Sequence, residues 1–489
     1  GPVLQLPQGA SRTPRVRHVS RLSSTLGKVL VVLLVVIVGA VVVARVIGVR
    51  LELDGSGARP LLSRFDEDAH FDALEVSRAE QSQPDTTAAV LDVPAGHAVS
   101  ADRRPETFWP AYRGASRTGR YDFPISTDWP DDGLRQLWQQ PIGGGYASFA
   151  VADGRLFTIE QRRAREVVAA YDPDSGAELW THDWEEQFEE TMGGDGPRAT
   201  PTWDDGRVFA LGAGGELRGL AADTGRLLWR TNMLDDAGSG NLTWAMSASP
   251  LVVDNMVVVL PGGRDGHSVT AYDADTGDTV WTALGDVAGY TAPMLVELAG
   301  VRQILVVTAQ RAAGLRVADG ALLWDYPWVV SNVPNMAQPV LVGSNRIFLS
   351  ASYGQGSAMI EVSSAGDALS AREVWRTNRM KNKFSSSVLH DGFIYGLDNN
   401  ILACMDAATG ELVWKGGRYG FGQLLFADGH LVVLTERGEV VLVRATPDGH
   451  EEVNRFSAIE GKTWNVPTIA DGTLFVRNAT QMAAFDIRP

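Results

Sequence analysis

From residue 149 onward the chain alternates short apolar runs with polar turns in a fixed order. The first unit is an apolar run, a turn and a second apolar run. It reads FAVADGRLF from Phe149, PTWDDGRVF from Pro201, PLVVDNMVV from Pro250, PVLVGSNRIF from Pro339, SVLHDGFIY from Ser387, LLFADGHLVV from Leu424 and PTIADGTLFV from Pro467. An eighth copy, PMLVELAGVRQILVV from Pro293, has a longer turn. Asp-Gly between β-rich runs signals a hairpin, because glycine accepts positive φ without steric cost. A second unit follows: YDPDSGAELW (171–180), AADTGRLLW (221–229), YDADTGDTVW (272–281), VADGALLW (317–324) and MDAATGELVW (405–414). It predicts two more strands joined by an Asp-Thr-Gly turn. The Asp and Thr side chains bond the turn backbone and the Gly takes the left-handed position.

The aromatic residue closing each unit gives the register: Trp138, Trp180, Trp229, Trp281, Trp324, Trp375, Trp414 and then Phe456. Their spacing of about 40–50 residues is that of a propeller blade. Each Trp ends an outer strand and packs between neighbouring blades. The last hairpin is followed only by MAAFDI (482–487), one strand short of a blade, whereas LRQLW (134–138) is a strand with no hairpin before it. The pattern therefore predicts an all-β, eight-bladed propeller of four-stranded antiparallel blades. One early strand closes the ring and removes the open sheet edge.

The amino end follows a different pattern. Arg12, Arg15, Arg17, Arg21 and Lys28 stand among residues 1–28 without an acid, before the uncharged VLVVLLVVIVGAVVVA (29–44). Sixteen helical residues rise about 24 Å, and flanking Lys28, Arg45 and Val46 to Val49 extend the run toward a span. The reading is a signal-anchor helix over 29–49, with a basic cytoplasmic tail (1–28) and the body outside. A cleaved signal peptide is the alternative. Residues 50–106 read as a linker with a short helix over 61–80, carrying Leu61, Leu62, Phe65, Phe71 and Leu74, and the propeller takes 107–489. This makes a single-pass chain with its propeller outside the cytoplasm.

Charge and cysteine usage narrow the chemistry. A formal charge of −16 argues against a nucleic-acid surface. The single Cys404 builds no disulfide framework, zinc cage or CxxC pair, and the eight histidines lack metal-ligand spacing. YDADTGD misplaces the Gly and distal Glu of a calcium loop. The acidic DWEEQFEE (183–190) reads as a solvated loop.

The AxDxxTGxxxW repeat resembles that of the pyrroloquinoline-quinone-binding-like propellers over residues 107–489. FWPAYRGASRTGRY (108–121), GDGPRATP, AGYTAP, KFSSSVLHDGFIYGLD and TERGEV are similar to a bacterial branch of that superfamily. The superfamily holds quinoprotein alcohol dehydrogenases and the non-enzymatic outer-membrane protein assembly factor BamB. The resemblance implies a non-catalytic binding scaffold in envelope protein assembly, with protein partners in the cell envelope, anchored in a bacterial inner membrane with its propeller in the periplasm. Two alternatives stand: a quinone-dependent alcohol or sugar dehydrogenase using pyrroloquinoline quinone with calcium, and an accessory subunit of a larger membrane complex. The dehydrogenases carry adjacent cysteines against the quinone, which one cysteine cannot supply. BamB is anchored through a cysteine, and none lies near residues 29–60. No cofactor, metal ligand or catalytic residue is expected under the scaffold reading.

In a propeller the innermost strand lines the channel, and the loop before it reaches the channel mouth. Counting back from each hairpin turn selects Tyr146, Arg198, Ser247, Tyr290, Met336, Phe384, Phe421 and Trp464, five of the eight aromatic. With neighbouring Trp244, Asn335 and Lys383 they form a candidate ring for a planar ligand or an extended peptide. The alternative is packing: the same aromatics fill the wedge between blades or plug the channel.

Overall fold

The computed structural model describes residues 28–36, 39, 49–57, 60–81, 108–330, 334–366 and 368–489. Eight four-stranded antiparallel units follow one another along the chain: 150–185, 202–232, 251–283, 294–327, 340–377, 388–418, 423–457, and 468–486 completed by Gln136–Pro141. We number these blades 1 to 8. In blade 8, Trp138 lies opposite Ala484, so the early strand closes the ring as its pattern predicts.

Burial explains the sequence of each blade. The second and third strands are apolar nearly throughout, as in Arg207–Leu211 and Glu216–Ala221, because neighbouring blades cover both faces. The outer strand alternates; in Leu227–Asn232 the one buried residue is Trp229. Seven of the eight hairpins turn on paired positive-φ residues, such as Asp205 (43°) and Gly206 (76°), whereas the blade 5 turn has Gly343 (63°) alone. In blade 4 the turn is not longer. Ala299 (52°) and Gly300 (77°) form a two-residue turn between longer strands, Met294–Leu298 and Val301–Val307.

The Trp–Gly cadence is one contact made repeatedly. Asp273 Oδ1 accepts the N–H of Asp275 and Thr276 at 2.9 Å, shaping the turn. Gly277 then lies under the Trp229 ring of the preceding blade, where a Cβ would fall 2.7 Å from Trp229 Cε3. The indole N–H donates to Ala274 O at 2.8 Å. Trp138, Trp180 and Trp375 repeat this pairing on Gly176, Gly225 and Gly410, donating to Pro173, Ala222 and Ala407. Trp281 packs on Gly320, and Trp414 donates to Thr446 O at 2.8 Å. Trp324 departs from the pattern. Blade 5 has the long strands Gly356–Ala365 and Ala368–Thr377 in place of the short turn, and Trp324 donates to Gln303 Oε1 of its own blade at 2.5 Å.

The resemblance motif at 108–121 has a structural job that its sequence does not disclose. It lies against the innermost strands, deeper along them than the blade-start positions. Trp109 exchanges backbone bonds with Val151, Trp203 N–H donates to Pro110 O at 2.8 Å, and Arg120–Tyr121 adds a parallel strand to Gln423–Ala427. Arg117 donates to the carbonyls of Ser249 (2.9 Å), Pro293 (3.0 Å) and Pro250. Arg113 donates to Leu424 O and Ser387 O, both at 3.2 Å. Both guanidiniums are buried without a carboxylate partner among the described residues, and burial pulls the Arg117 pKa down to about 9. Beside blade 5 the segment leaves a cavity of about 200 Å³ lined by Arg113, Arg117, Arg120 and Gln338.

The amino-terminal expectations fare differently. Among the described residues, no helix is long and apolar enough to cross a membrane. Helix is described over 28–36 and at 39, while the rest of the expected span up to residue 48, the tail 1–27 and the linker at 82–107 lie outside the described residues. Val49 starts a strand, Val49–Leu53, which pairs with Pro60–Arg64. The helix expected over 61–80 is Glu67–Gln81, so Leu61 and Leu62 fall in a strand. Its Phe71 and Leu74 are buried as expected.

Candidate functional site

The blade-start loops bring most of the sequence-selected residues together. Trp464 is the centre of one group: its ring centroid lies 4.7 Å from Phe384 and 5.4 Å from Tyr146, and Phe384 lies 5.9 Å from Phe421. A second pair, Trp244 and Tyr290, is 5.9 Å apart, and Trp244 N–H donates to the Tyr290 hydroxyl at 3.2 Å. Gly193 links the groups, because a Cβ there would meet Arg198 Nη2 at 3.0 Å and Trp244 Cδ1 at 3.1 Å. Apart from Phe421, which is buried, these aromatics are half-buried. They form a partly wet wall.

Cations stand on the aromatic faces. Arg198 lies 5.3 Å from the Tyr146 centroid and 5.0 Å from Phe188, and its guanidinium donates to Gly196 O and Gly194 O. Lys383 Nζ is surrounded by Phe421 (5.2 Å), Tyr353 (5.3 Å) and Phe384 (6.0 Å). Lys462 Nζ lies 4.5 Å from the Trp464 ring. Such contacts are each worth about 0.5–2 kcal/mol. Burial lowers the Lys383 and Arg198 pKa values, while nearby acids, Asp54 and Glu436 for the lysine, oppose the shift.

One carboxylate organises the centre. Glu436 Oε1 accepts the indole N–H of Trp464 at 3.0 Å, and Oε2 accepts Phe421 N–H at 3.2 Å. Its sequence signal was the TERGEV motif, which marks kinship but carries no role. Tyr353 and Lys462 had no periodic signal. The acidic 183–190 segment is not a solvated loop throughout: it runs into the outer strand Glu178–Glu185, buries Trp184, and places Phe188 under Arg198. Asn335 is not part of the wall. It is buried, and its amide donates to Thr308 O at 2.9 Å and Trp328 O at 3.3 Å.

Both Glu436 oxygens accept N–H groups, and among the described residues no three His, Cys, Asp or Glu side chains gather as metal ligands. Cys404 is buried in the strand Ile401–Asp406, where burial pushes its thiol up to about 11.

The fold is an eight-bladed propeller of the pyrroloquinoline-quinone-like class, with a polar-aromatic wall on its blade-start loops. The family described as outer membrane protein assembly factor BamB matches residues 130–234 and 164–416. The chain belongs to that family. It is 28% identical over 260 residues to outer membrane protein assembly factor BamB of Moranella endobia, covering 50% of this chain and 64% of that protein's length. A quinohemoprotein alcohol dehydrogenase, ADH IIB of Pseudomonas putida, is 33% identical over 168 residues, 32% of this chain and 23% of its own. The crystal structure of BamB from Moraxella catarrhalis superposes with a TM-score of 0.53 at 16% identity, covering 72% of this chain and 97% of that one. The quinohemoprotein alcohol dehydrogenase of Comamonas testosteroni does so at 0.58 and 13%, covering 86% and 84%. Both structural likenesses concern the fold alone.

Proposed function

We propose that this protein is a non-catalytic binding scaffold of the bacterial cell envelope, acting like BamB in outer-membrane protein assembly and holding a polypeptide at its channel mouth. The observation carrying this reading is the wall of half-buried aromatics bearing Arg198, Lys383 and Lys462, with Glu436 at its centre. Aromatic faces supply contact area at low entropic cost, and the charged groups address peptide carbonyls and N–H groups. The relatives named for outer-membrane assembly support the cellular setting. The run 29–44 supports an inner-membrane anchor with a cytoplasmic amino end; release of the full chain from membranes by alkaline carbonate would overturn that part.

The test is envelope crosslinking with the double variant Trp464→Ala, Phe384→Ala. We expect the melting temperature to stay within a few degrees and partner recovery to fall. A collapse in melting temperature would make the wall core packing. Unchanged recovery from a folded variant would remove the mouth from partner binding.

The dehydrogenase reading is favoured by the Pseudomonas putida relative, while the single cysteine, Cys404, cannot form the adjacent pair that the resemblance implies for those enzymes. It is tested by titrating pyrroloquinoline quinone, with and without calcium, against tryptophan fluorescence. Saturable calcium-dependent quenching at micromolar ligand would restore it.

A further inference from the structure

We infer that the channel mouth is a receptor for an acid–glycine turn, and that the chain's own turn at residues 54–57 is its resident occupant. The inference rests on the scaffold reading in one respect: the competing ligand is a turn on a partner polypeptide.

The sequence here is Asp54-Gly55-Ser56-Gly57, between the strands Val49–Leu53 and Pro60–Arg64. The turn is internally shaped. Gly57 N–H donates to Asp54 O at 2.8 Å, Ser56 N–H donates to Asp54 Oδ1 at 3.0 Å, and Gly57 has φ 71°. An aspartate bonding the backbone two residues on is a turn former in its own right. The turn thus meets the mouth with little conformational entropy left to lose.

Gly55 is the residue that is read. It is buried, and its N–H donates to Glu436 Oε1 at 2.6 Å. Its carbonyl accepts from Lys383 Nζ. A Cβ at this position would fall 2.4 Å from both Cβ and Cγ of Phe421, so the Phe421 face admits glycine and rejects every side chain. The Asp54 carboxylate acts on Lys383 electrostatically, which explains an acid before the glycine. The mouth therefore tests one residue and its predecessor four ways. A carboxylate takes the N–H, an ammonium takes the carbonyl, an aromatic face requires a missing side chain, and the same ammonium favours the preceding acid. Three rings around Lys383 hold the ammonium in place for both tasks. A surface that only packed would need neither the charged pair nor the glycine.

A tethered occupant competes at an effective concentration of about millimolar. An outside turn binds only as the resident one leaves, and the apparent affinity falls by the fraction of mouths already filled. The probe is the fluorescein-labelled peptide ELDGSGARPL, the sequence of residues 52–61, titrated into full-length protein. Gly55→Val in the protein expels the resident turn without touching a blade. We expect it to bind the probe about tenfold or more tighter than wild type does. Adding Glu436→Gln or Lys383→Met to that variant should abolish the gain, and a probe carrying valine at the Gly55 position should not bind. Equal binding by wild type and Gly55→Val, or equal binding of the two probes, overturns the proposal. Hydrogen exchange on the wild-type chain gives a second reading that no variant can spoil. Protection of the Gly55 amide supports seating, and exchange at the free-peptide rate overturns it. The two readings separate cleanly. Probe binding with partner recovery indifferent to Trp464→Ala, Phe384→Ala leaves turn recognition standing and sinks the scaffold; partners lost with no probe bound does the reverse.

Discussion

Trp229 and Gly277 show why this repeat spells the residues it does. Gly277 and Gly206 share a φ of 76°, yet a Cβ at Gly206 meets nothing within 4 Å, whereas one at Gly277 meets the Trp229 ring. The pair isolates packing from backbone strain. Gly206→Ala should cost about 1–2 kcal/mol, the left-handed penalty alone. Gly277→Ala should cost a further ~1–3 kcal/mol for the ring it displaces, read from urea midpoints at equal slope. Glu166 supplies the pH prediction. Burial raises its pKa to about 8, although Ala213 N–H donates to it at 2.8 Å. The folded state therefore binds its proton more tightly than the unfolded chain. Stability should fall as pH rises from the ordinary carboxylate range to about 8 and level off above it. Glu166→Gln should flatten that slope, removing a loss on the order of a few kcal/mol at alkaline pH. A wild-type slope that persists in the variant would place the titration elsewhere.

At the scale of elements, periodicity revealed the blades because every blade solves the same packing problem. Hairpins, turns and docking tryptophans recur eight or nearly eight times, and the missing strand showed itself as a surplus at 134–138. Elements used once left weaker marks. The helix Glu67–Gln81 was legible through Phe71 and Leu74, but its start was misplaced, since apolar Leu61 and Leu62 suit a strand as well as a helix. That helix lies along the closing strand. Arg78 donates to Pro141 O at 2.8 Å, and His70 Nε2 lies 2.9 Å from Ile142 O. Arg163 pairs with Asp68, Asp72 and Glu75, all exposed. Exposed pairs contribute about 0–1 kcal/mol, whereas truncating a buried Leu or Phe costs about 2–5 kcal/mol. Phe71→Ala with Leu74→Ala should thus make residues 67–81 sensitive to protease while the blades stay resistant. Arg163→Ala should leave the digestion pattern unchanged.

The whole molecule is held from inside by a segment whose role no periodic pattern can encode. Residues 109–121 touch the innermost strands of several blades, and Arg117 alone donates to carbonyls preceding or within blades 3 and 4. A one-off segment written in Arg, Gly and Ser reads as a loop, because its partners are backbone carbonyls rather than complementary side chains. The candidate wall was half legible for a related reason. Blade-start aromatics recur, but Glu436, Lys462 and the turn at Gly55 meet them only in three dimensions. Arg117→Met should lower stability by about 3 kcal/mol or more, since it strands several buried carbonyls. Arg117→Lys should restore little of this, having no fork to span them. Ring closure also sets a clock. Gln136–Pro141 leaves the ribosome roughly 340 residues before Gln481–Asp486, its partner strand. At about 5–20 residues per second, that edge waits on the order of twenty seconds or more without its neighbour. An unpaired strand edge is a template for pairing with other chains, so synthesis arrested within blade 8 should yield an open, self-associating chain and not a seven-bladed product.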